Sequence, residues 1–193
     1  MRSGSCPCSG FSARCSELGL RLETKRLLLR EWLDEDVDVY ARICSDPEVM
    51  RYMLPPRPLT HAEAAYDVHL LREHWGRHGF GHWAVEERES GRFVGRTGVK
   101  RHDDWELDDE NTEVGWLYDR AVWGRGYATE AALEVVRYAF KEIGRPEVIS
   151  IAHPDNVASR RVMEKAGLTY AGARRWEQRA LDVVWYSRLA QSP

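Results

Sequence analysis

The strongest constraint on this chain is one succession of segments. A strand-like run, Thr112 to Tyr118, meets the loop Trp123-Gly124-Arg125-Gly126-Tyr127-Ala128-Thr129-Glu130, and an amphipathic run follows from Ala128 to Ile143. Glycines between a strand and a helix expose backbone N–H groups at the helix N-terminus. Those groups lack intrahelical partners, and the helix dipole favours an anion there. The loop therefore reads as a phosphate site. Along the helix, Ala128, Ala132, Val135, Val136, Ala139 and Ile143 fall on one face, Gly144 ends it and Pro146 prevents continuation. The apolar run Val148 to Ala152 then suits an inner strand. Strand, long helix and strand imply a right-handed crossover with locally parallel pairing.

Three phosphate-bearing cofactors compete for the loop. A Walker loop requires Gly-Lys-Ser or Gly-Lys-Thr, and the sequence has neither. A dinucleotide fingerprint requires a third glycine, and Thr129 stands in its place. The third is coenzyme A. Gly126 and Ala128 fit Gln/Arg-x-x-Gly-x-Gly/Ala, with Trp123 at the Gln/Arg position. Here the chain resembles the GNAT acetyltransferase superfamily. The resemblance is strongest over Glu113 to Tyr118 and Gly124 to Ala131. It returns at Asn156-x-x-Ser159 with Glu164-Lys165-x-Gly167-Leu168, and covers about residues 20 to 190. Leu22 to Arg30 resembles the opening strand of the branch that contains ribosomal-protein N-terminal acetyltransferases and related small-molecule acetyltransferases.

The resemblance implies an α/β (α+β) fold. Its mixed, mostly antiparallel sheet is splayed at the cofactor strand and flanked by helices. It implies acetyl-CoA as co-substrate, with the pantetheine arm pairing with backbone groups of Trp116, Leu117 and Tyr118. Gly124, Arg125, Gly126, Tyr127, Ala128 and Thr129 would form the pyrophosphate loop. Asn156 would hold the pantetheine amide region, and Ser159 would lie near the phosphates; as an N-cap, Asn156 has an ordinary structural role as well. The implied reaction is transfer of acetyl to a primary amine, on a protein N-terminus or a small molecule, by direct attack. A thioester needs no protein nucleophile, and the chain has no Cys-His or Ser-His-Asp arrangement at recognisable spacing. Strand N–H groups can polarise the thioester carbonyl.

A base for the amine is useful. Glu113 is the candidate, directly or through a water, with a structural carboxylate as its alternative; His102 is a weaker candidate. Many relatives place a Tyr on the last helix as acid, and here Met163 occupies that position. That departure keeps open a non-catalytic acetyl-CoA-binding sensor. A nucleotide-dependent oxidoreductase using Gly124-x-Gly126 is a further rival, but Glu147 begins its strand where the ribose-binding acid ends one.

The remaining sequence sets bounds. At 193 residues the chain reads as one domain over 17–193, preceded by a Ser/Gly-rich leader, 1–16, expected to be disordered. Cys6, Cys8 and Cys15 lie in that leader without a paired second half, and His74 and His78 read as surface histidines, so no metal site is expected. A net charge of −3 argues against a nucleic-acid partner. No apolar run approaches the ~20 residues of a membrane span, and a cytoplasmic enzyme is expected. Exposed aromatics could support a homodimer. Six carboxylates between Asp103 and Glu110 read as a solvated hairpin turn, or as a field drawing a cationic amine to the acceptor mouth.

Elsewhere one strand is expected over Leu18 to Trp32 and a helix capped by Asp34 through Cys44. Pro47 should start a short helix to Met53, and a loop follows over Leu54 to Pro58. The capping box Thr60-x-x-Glu63 opens a helix to His78 with Ala65, Val68, Leu71 and Trp75 inward. Strands follow at His82 to Glu87 and Arg92 to Arg101, with bulges or close approaches at Gly95 and Gly98, and a possible bulge at Gly115. A helix over Val157 to Lys165 and strands at Leu168 to Ala171 and Leu181 to Leu189 complete the chain.

Overall fold

The computed structural model describes residues 20–105 and 112–190. The leader with its three cysteines, and Glu106 to Glu110 of the acidic stretch, lie outside them. Eight strands form one sheet: β1 (Leu22–Glu23), β2 (Leu27–Arg30), β3 (His82–Glu87), β4 (Arg92–Arg101), β5 (Thr112–Tyr118), β6 (Glu147–Ala152), β7 (Thr169–Trp176) and β8 (Leu181–Leu189). Their order is β1-β2-β3-β4-β5-β6-β8-β7. Only β5 and β6 pair in parallel; the other neighbours are antiparallel. This is the mixed sheet that the family resemblance implies.

Helices cover both faces. α4 (Tyr127–Lys141) and α5 (Val157–Lys165) pack on one, against Leu27, Leu29, Trp83, Val85 and Val114. On the other lie α1 (Asp36–Cys44), α2 (Pro47–Met50) and α3 (His61–His78), where Tyr40, Val68 and Leu71 meet Ala84, Phe93 and Leu117. β3 is therefore buried on both faces from His82 to Val85. The bounds of β3, β4, β5, α5 and β8 coincide with the expected ones. β7 runs on to Trp176, because Trp176 is buried against Trp105 at a ring distance of 4.9 Å.

Four expectations are corrected. The first strand is two strands joined by a turn at Thr24. The Thr24 amide bonds Leu27 O at 2.9 Å, and its hydroxyl accepts from Leu27 N–H at 3.0 Å. The first helix starts at Asp36, not after an Asp34 cap. Asp36 accepts from Leu33 N–H at 2.8 Å and takes a bidentate contact from Arg30 at 2.7 and 2.9 Å. α2 stops at Met50, where the chain tightens into a turn with Met53 N–H on Met50 O. On α3 it is Ala64 rather than Ala65 that is buried.

The capping box at α3 is complete. Thr60 accepts from Glu63 N–H, and the Glu63 carboxylate accepts from Thr60 N–H at 2.8 Å. Thr60→Ala should cost about 1 kcal/mol. That corresponds to about 2–4 °C in thermal melting for a chain of this size.

Gly95 and Gly98 serve close approach. At Gly95 the β3 register shifts between Val85 and Glu86. A Cβ on Gly98 would lie 2.2 Å from Gly81 O. Gly115, by contrast, keeps a continuous register with β4, so it marks no bulge there.

Candidate active site

β5 and β6 share one paired position, Glu113 with Ile149. Beyond it the strands part. Asp119 N–H bonds Val94 O on the β4 side, while Val114 O accepts from the Ser150 hydroxyl on the β6 side at 2.7 Å. Backbone groups alternate sides along a strand. Trp116 and Tyr118 therefore turn their backbone groups into the gap. Those of Leu117 turn toward β4, and its side chain is buried against α1 and α3. Of the three residues expected to pair with the cofactor, two face the gap. The Tyr118 carbonyl already accepts from Trp123 Nε1 at 3.0 Å.

The gap opens into a cavity of about 220 Å³ lined by Gly115, Trp116, Ser150, Ala152, Asn156 and Met163, among others. Ser159 also lines it. Asn156 caps α5 by accepting from Ser159 N–H at 3.1 Å, so its structural role is present. Met163, at the position where the resemblance implies a Tyr, is buried.

At the head of α4, Gly124 and Gly126 both adopt left-handed backbone, at φ 76° and 79°. Glycine reaches this region without the Cβ penalty. The first intrahelical bond is Glu130 N–H to Gly126 O. The amides of Gly126, Tyr127, Ala128 and Thr129 therefore point out of the helix end. Gly124, Arg125 and Gly126 are exposed, whereas the Tyr127 ring is tucked in with its hydroxyl on Glu87. The β1–β2 turn braces this end. Glu130 accepts from Thr24 Oγ at 2.6 Å and from Arg26 N and Nε at 2.8 and 2.7 Å, and Arg26 Nη1 donates to Arg125 O at 2.9 Å. Arg26 thus neutralises the one acid in the helix's first turn.

At the other end of β5, Glu113 and His102 form a pair, Oε2 to Nε2 at 2.5 Å, with side chains 16% and 3% exposed. Arg179 approaches His102 Nδ1 at 3.3 Å and is itself held by Asp104 at 2.8 and 3.1 Å. An arginine only donates, so Nδ1 is the acceptor and Nε2 carries the proton given to Glu113. Burial alone would raise the Glu113 pKa. The neighbouring His102, hydrogen-bonded to it, and the Lys100 charge outweigh burial and hold it below the usual carboxylate range. The two base candidates are therefore one unit, which sequence spacing did not reveal.

A second cavity, of about 420 Å³, opens between α3 and the end of β4. It shares Asp67, Leu71, His82, Lys100, His102 and Arg179 with the first, so the two form one cleft with the Glu113–His102 pair near their junction. Tyr52, Met53 and Leu54 line it, which puts the segment after α2 on a wall rather than in a remote connector. Tyr52 stacks on His153 at 5.3 Å, joining that wall to the β6–α5 turn. His74 is half-buried rather than solvated, bonded to Phe80 O and Arg101 N–H, and burial pushes it down to about 4. Among the described residues no group of three or more metal-ligating side chains gathers, and no helix is long and apolar enough to cross a membrane.

Residues 26–169 match the family model described as an acetyltransferase (GNAT) domain. A protein of Aspergillus fumigatus named FsC-acetyl coenzyme A-N(2)-transacetylase is 37% identical over 153 residues, covering 77% of this chain but 65% of that protein. This chain thus spans just under two thirds of that relative. The crystal structure of a GNAT-family acetyltransferase from Bacillus anthracis superposes with a TM-score of 0.73 at 26% identity, over 88% of this chain and 98% of that one. An acetyltransferase from Agrobacterium tumefaciens reaches 0.76 at 24% identity, over 98% and 100%, and shows the fold.

Proposed function

Because the chain belongs to the GNAT acetyltransferase family, we propose that it transfers the acetyl group of acetyl-CoA to a primary amine by direct attack in a ternary complex. One observation carries the reading. The parting of β5 from β6 leaves open backbone groups beside a cavity lined by a buried carboxylate–histidine pair, and β5 leads on to the glycine loop at the head of α4. The name of the Aspergillus relative supports the co-substrate. The phrase Leu22 to Arg30 supports the branch that includes ribosomal-protein N-terminal acetyltransferases.

The chain's residues fit the co-substrate. The amides at positions 126–129, with Arg125 beside them, would hold the pyrophosphate. Trp116 and Tyr118 would pair with the pantetheine amides, and Asn156 and Ser159 would close the far side. Leu117 would contribute only by fixing the pleat. When bound, acetyl-CoA supplies an activated carbonyl whose C–S bond breaks as the N–C bond forms. Backbone N–H groups facing the gap stabilise the charge that develops on the carbonyl oxygen. Glu113, directly or through a water, takes the amine proton, and His102 keeps its carboxylate in place. No side chain is assigned to protonate the thiolate, which is a fair leaving group.

Thiol release on adding amines to the protein with acetyl-CoA tests this proposal. Release that requires both protein and amine supports it, whereas cofactor binding without release with any amine would make the chain a sensor. Gly126→Ala tests the loop. An alanine held at φ 79° costs about 1–2 kcal/mol, so the acetyl-CoA dissociation constant should rise about five- to thirtyfold with the fold intact.

A further inference from the structure

Residues two apart on a strand share a face. On β4 this groups Arg96, Gly98 and Lys100. On β5 it groups Leu117, Gly115 and Glu113, in the registers Arg96 with Leu117, Gly98 with Gly115 and Lys100 with Glu113. Two glycines opposite each other leave a hollow in the sheet face turned toward α1 and α3. Gly98 has no room for a side chain, and a Cβ on Gly115 would press the His82 ring at 3.3 Å. Arg96, His82, Lys100 and Glu113 bound this hollow, and all four line the cleft.

The charges in the hollow do not pair off. Arg96 donates Nε to the Tyr40 hydroxyl at 2.9 Å and Nη1 to His82 Nδ1 at 2.8 Å, so it meets no carboxylate directly. Burial, with the Arg96 charge beside it, keeps His82 below the ordinary histidine range and so a neutral acceptor. Among the described residues, neither Arg96 nor Lys100 forms an ion pair. The carboxylates facing the same space are engaged elsewhere. Glu113 holds His102, Asp104 holds Arg179, and Asp67 accepts the Tyr40 hydroxyl at 2.5 Å. Asp67 balances Arg96 through Tyr40, and Lys100, opposite Glu113 in the register, has only that carboxylate, which His102 also holds, as its nearest counter-charge. Two partly buried cations that share so little direct carboxylate contact are stabilised further when an anion arrives. That anion is not the pyrophosphate, because the glycine loop lies at the head of α4, on the opposite face of the sheet.

We propose that this hollow is an anion subsite for the acceptor: the acceptor amine carries a carboxylate, as a free amino acid does. Lys100 and Arg96 bind the carboxylate while the amine faces Glu113. This rests on the transferase reading above. It runs against the cationic acceptor that the acidic stretch suggests. The described acids of that stretch, Asp103 and Asp104, face Arg101 and Arg179.

The test compares amino acids with their primary amides, which have the same amine without the carboxylate. Thiol release is read first. In parallel, calorimetry reads binding of the N-acetylamino acids and N-acetylamino acid amides to protein saturated with coenzyme A, which needs no turnover. The acid should exceed its amide about tenfold or more in kcat/KM and in product affinity, the scale of a charge-assisted contact. Lys100→Met and Arg96→Gln should each collapse that ratio toward unity without changing the acetyl-CoA dissociation constant. Amides or diamines that match or outpace the acids would overturn the subsite, as would variants that lower acid and amide equally. If acetyl-CoA binds but no amine releases thiol, the transferase reading fails. The product-binding arm still decides the subsite, since equal or absent binding of acid and amide would overturn it.

Discussion

Glu113→Gln should lower kcat by about 10²- to 10⁴-fold, the usual contribution of a general base, with the acetyl-CoA dissociation constant unchanged. The amide oxygen of Gln can still accept from His102 Nε2–H, so the substitution removes the charge and leaves the pair's shape. A carboxylate held below its usual range is a weak base, but a weak base suffices here. The nitrogen's proton becomes strongly acidic as the new N–C bond forms, so it need only be received. The same depressed pKa gives a stability signature. The folded value lies below the reference value of 4.5, so the ionised Glu113 carboxylate stabilises the fold fully above that pH, and the contribution is lost as pH falls through the folded value. The stability difference between wild type and Glu113→Gln should therefore narrow on acidification from about pH 5 to pH 3. Denaturant melts at several pH values read this, and a full-rate variant would remove Glu113 from the chemistry.

Gly95→Ala should be the most damaging small substitution in the sheet. Gly95 has φ 148°, a region closed to alanine, and its Cβ would lie 2.2 Å from Leu117 O and 2.8 Å from Tyr118 Cα. Both neighbours are backbone of the strand that carries the gap, so neither yields as a flexible side chain does. Strain and overlap together should cost about 3 kcal/mol or more. That lowers the melting temperature by about 6–12 °C for a domain of this size. Gly79→Ala is the control. Gly79 is also left-handed, but nothing lies within 4 Å of its Cβ position, so only the strain of about 1–2 kcal/mol applies. Equal losses at the two positions would mean that the close approach of β4 to β5 is wrong.

The segments that read truly from sequence are those whose signals are local. The short runs of β3 to β5, the Thr60 capping box and the α5 helix closed by Gly167 carry their own instructions. The break at Thr24 was missed because its strongest partner, Glu130, lies more than a hundred residues away. Asp36 displaced Asp34 at the first helix because Arg30 pairs with it, a choice that propensity cannot express. At the candidate site, Glu113, the glycine loop, Asn156 and Ser159 could be named as candidates because each belongs to a continuous motif. The union of Glu113 with His102, and the Arg96–Gly98–Lys100 face over Gly115, depend on the antiparallel register of β4 and β5. Sequence places those residues on strands but does not align the strands. Leu117 shows the same limit in reverse: a motif names three consecutive residues, and the pleat turns only two toward the gap.

The central claim is that the parted strands and the glycine loop bind acetyl-CoA. Calorimetric titration of the purified protein with acetyl-CoA, beside NADH and ATP, tests it most directly. Saturable binding of acetyl-CoA at micromolar strength, and binding of neither control, is expected. Absence of acetyl-CoA binding, or a response to NADH in its place, would contradict it.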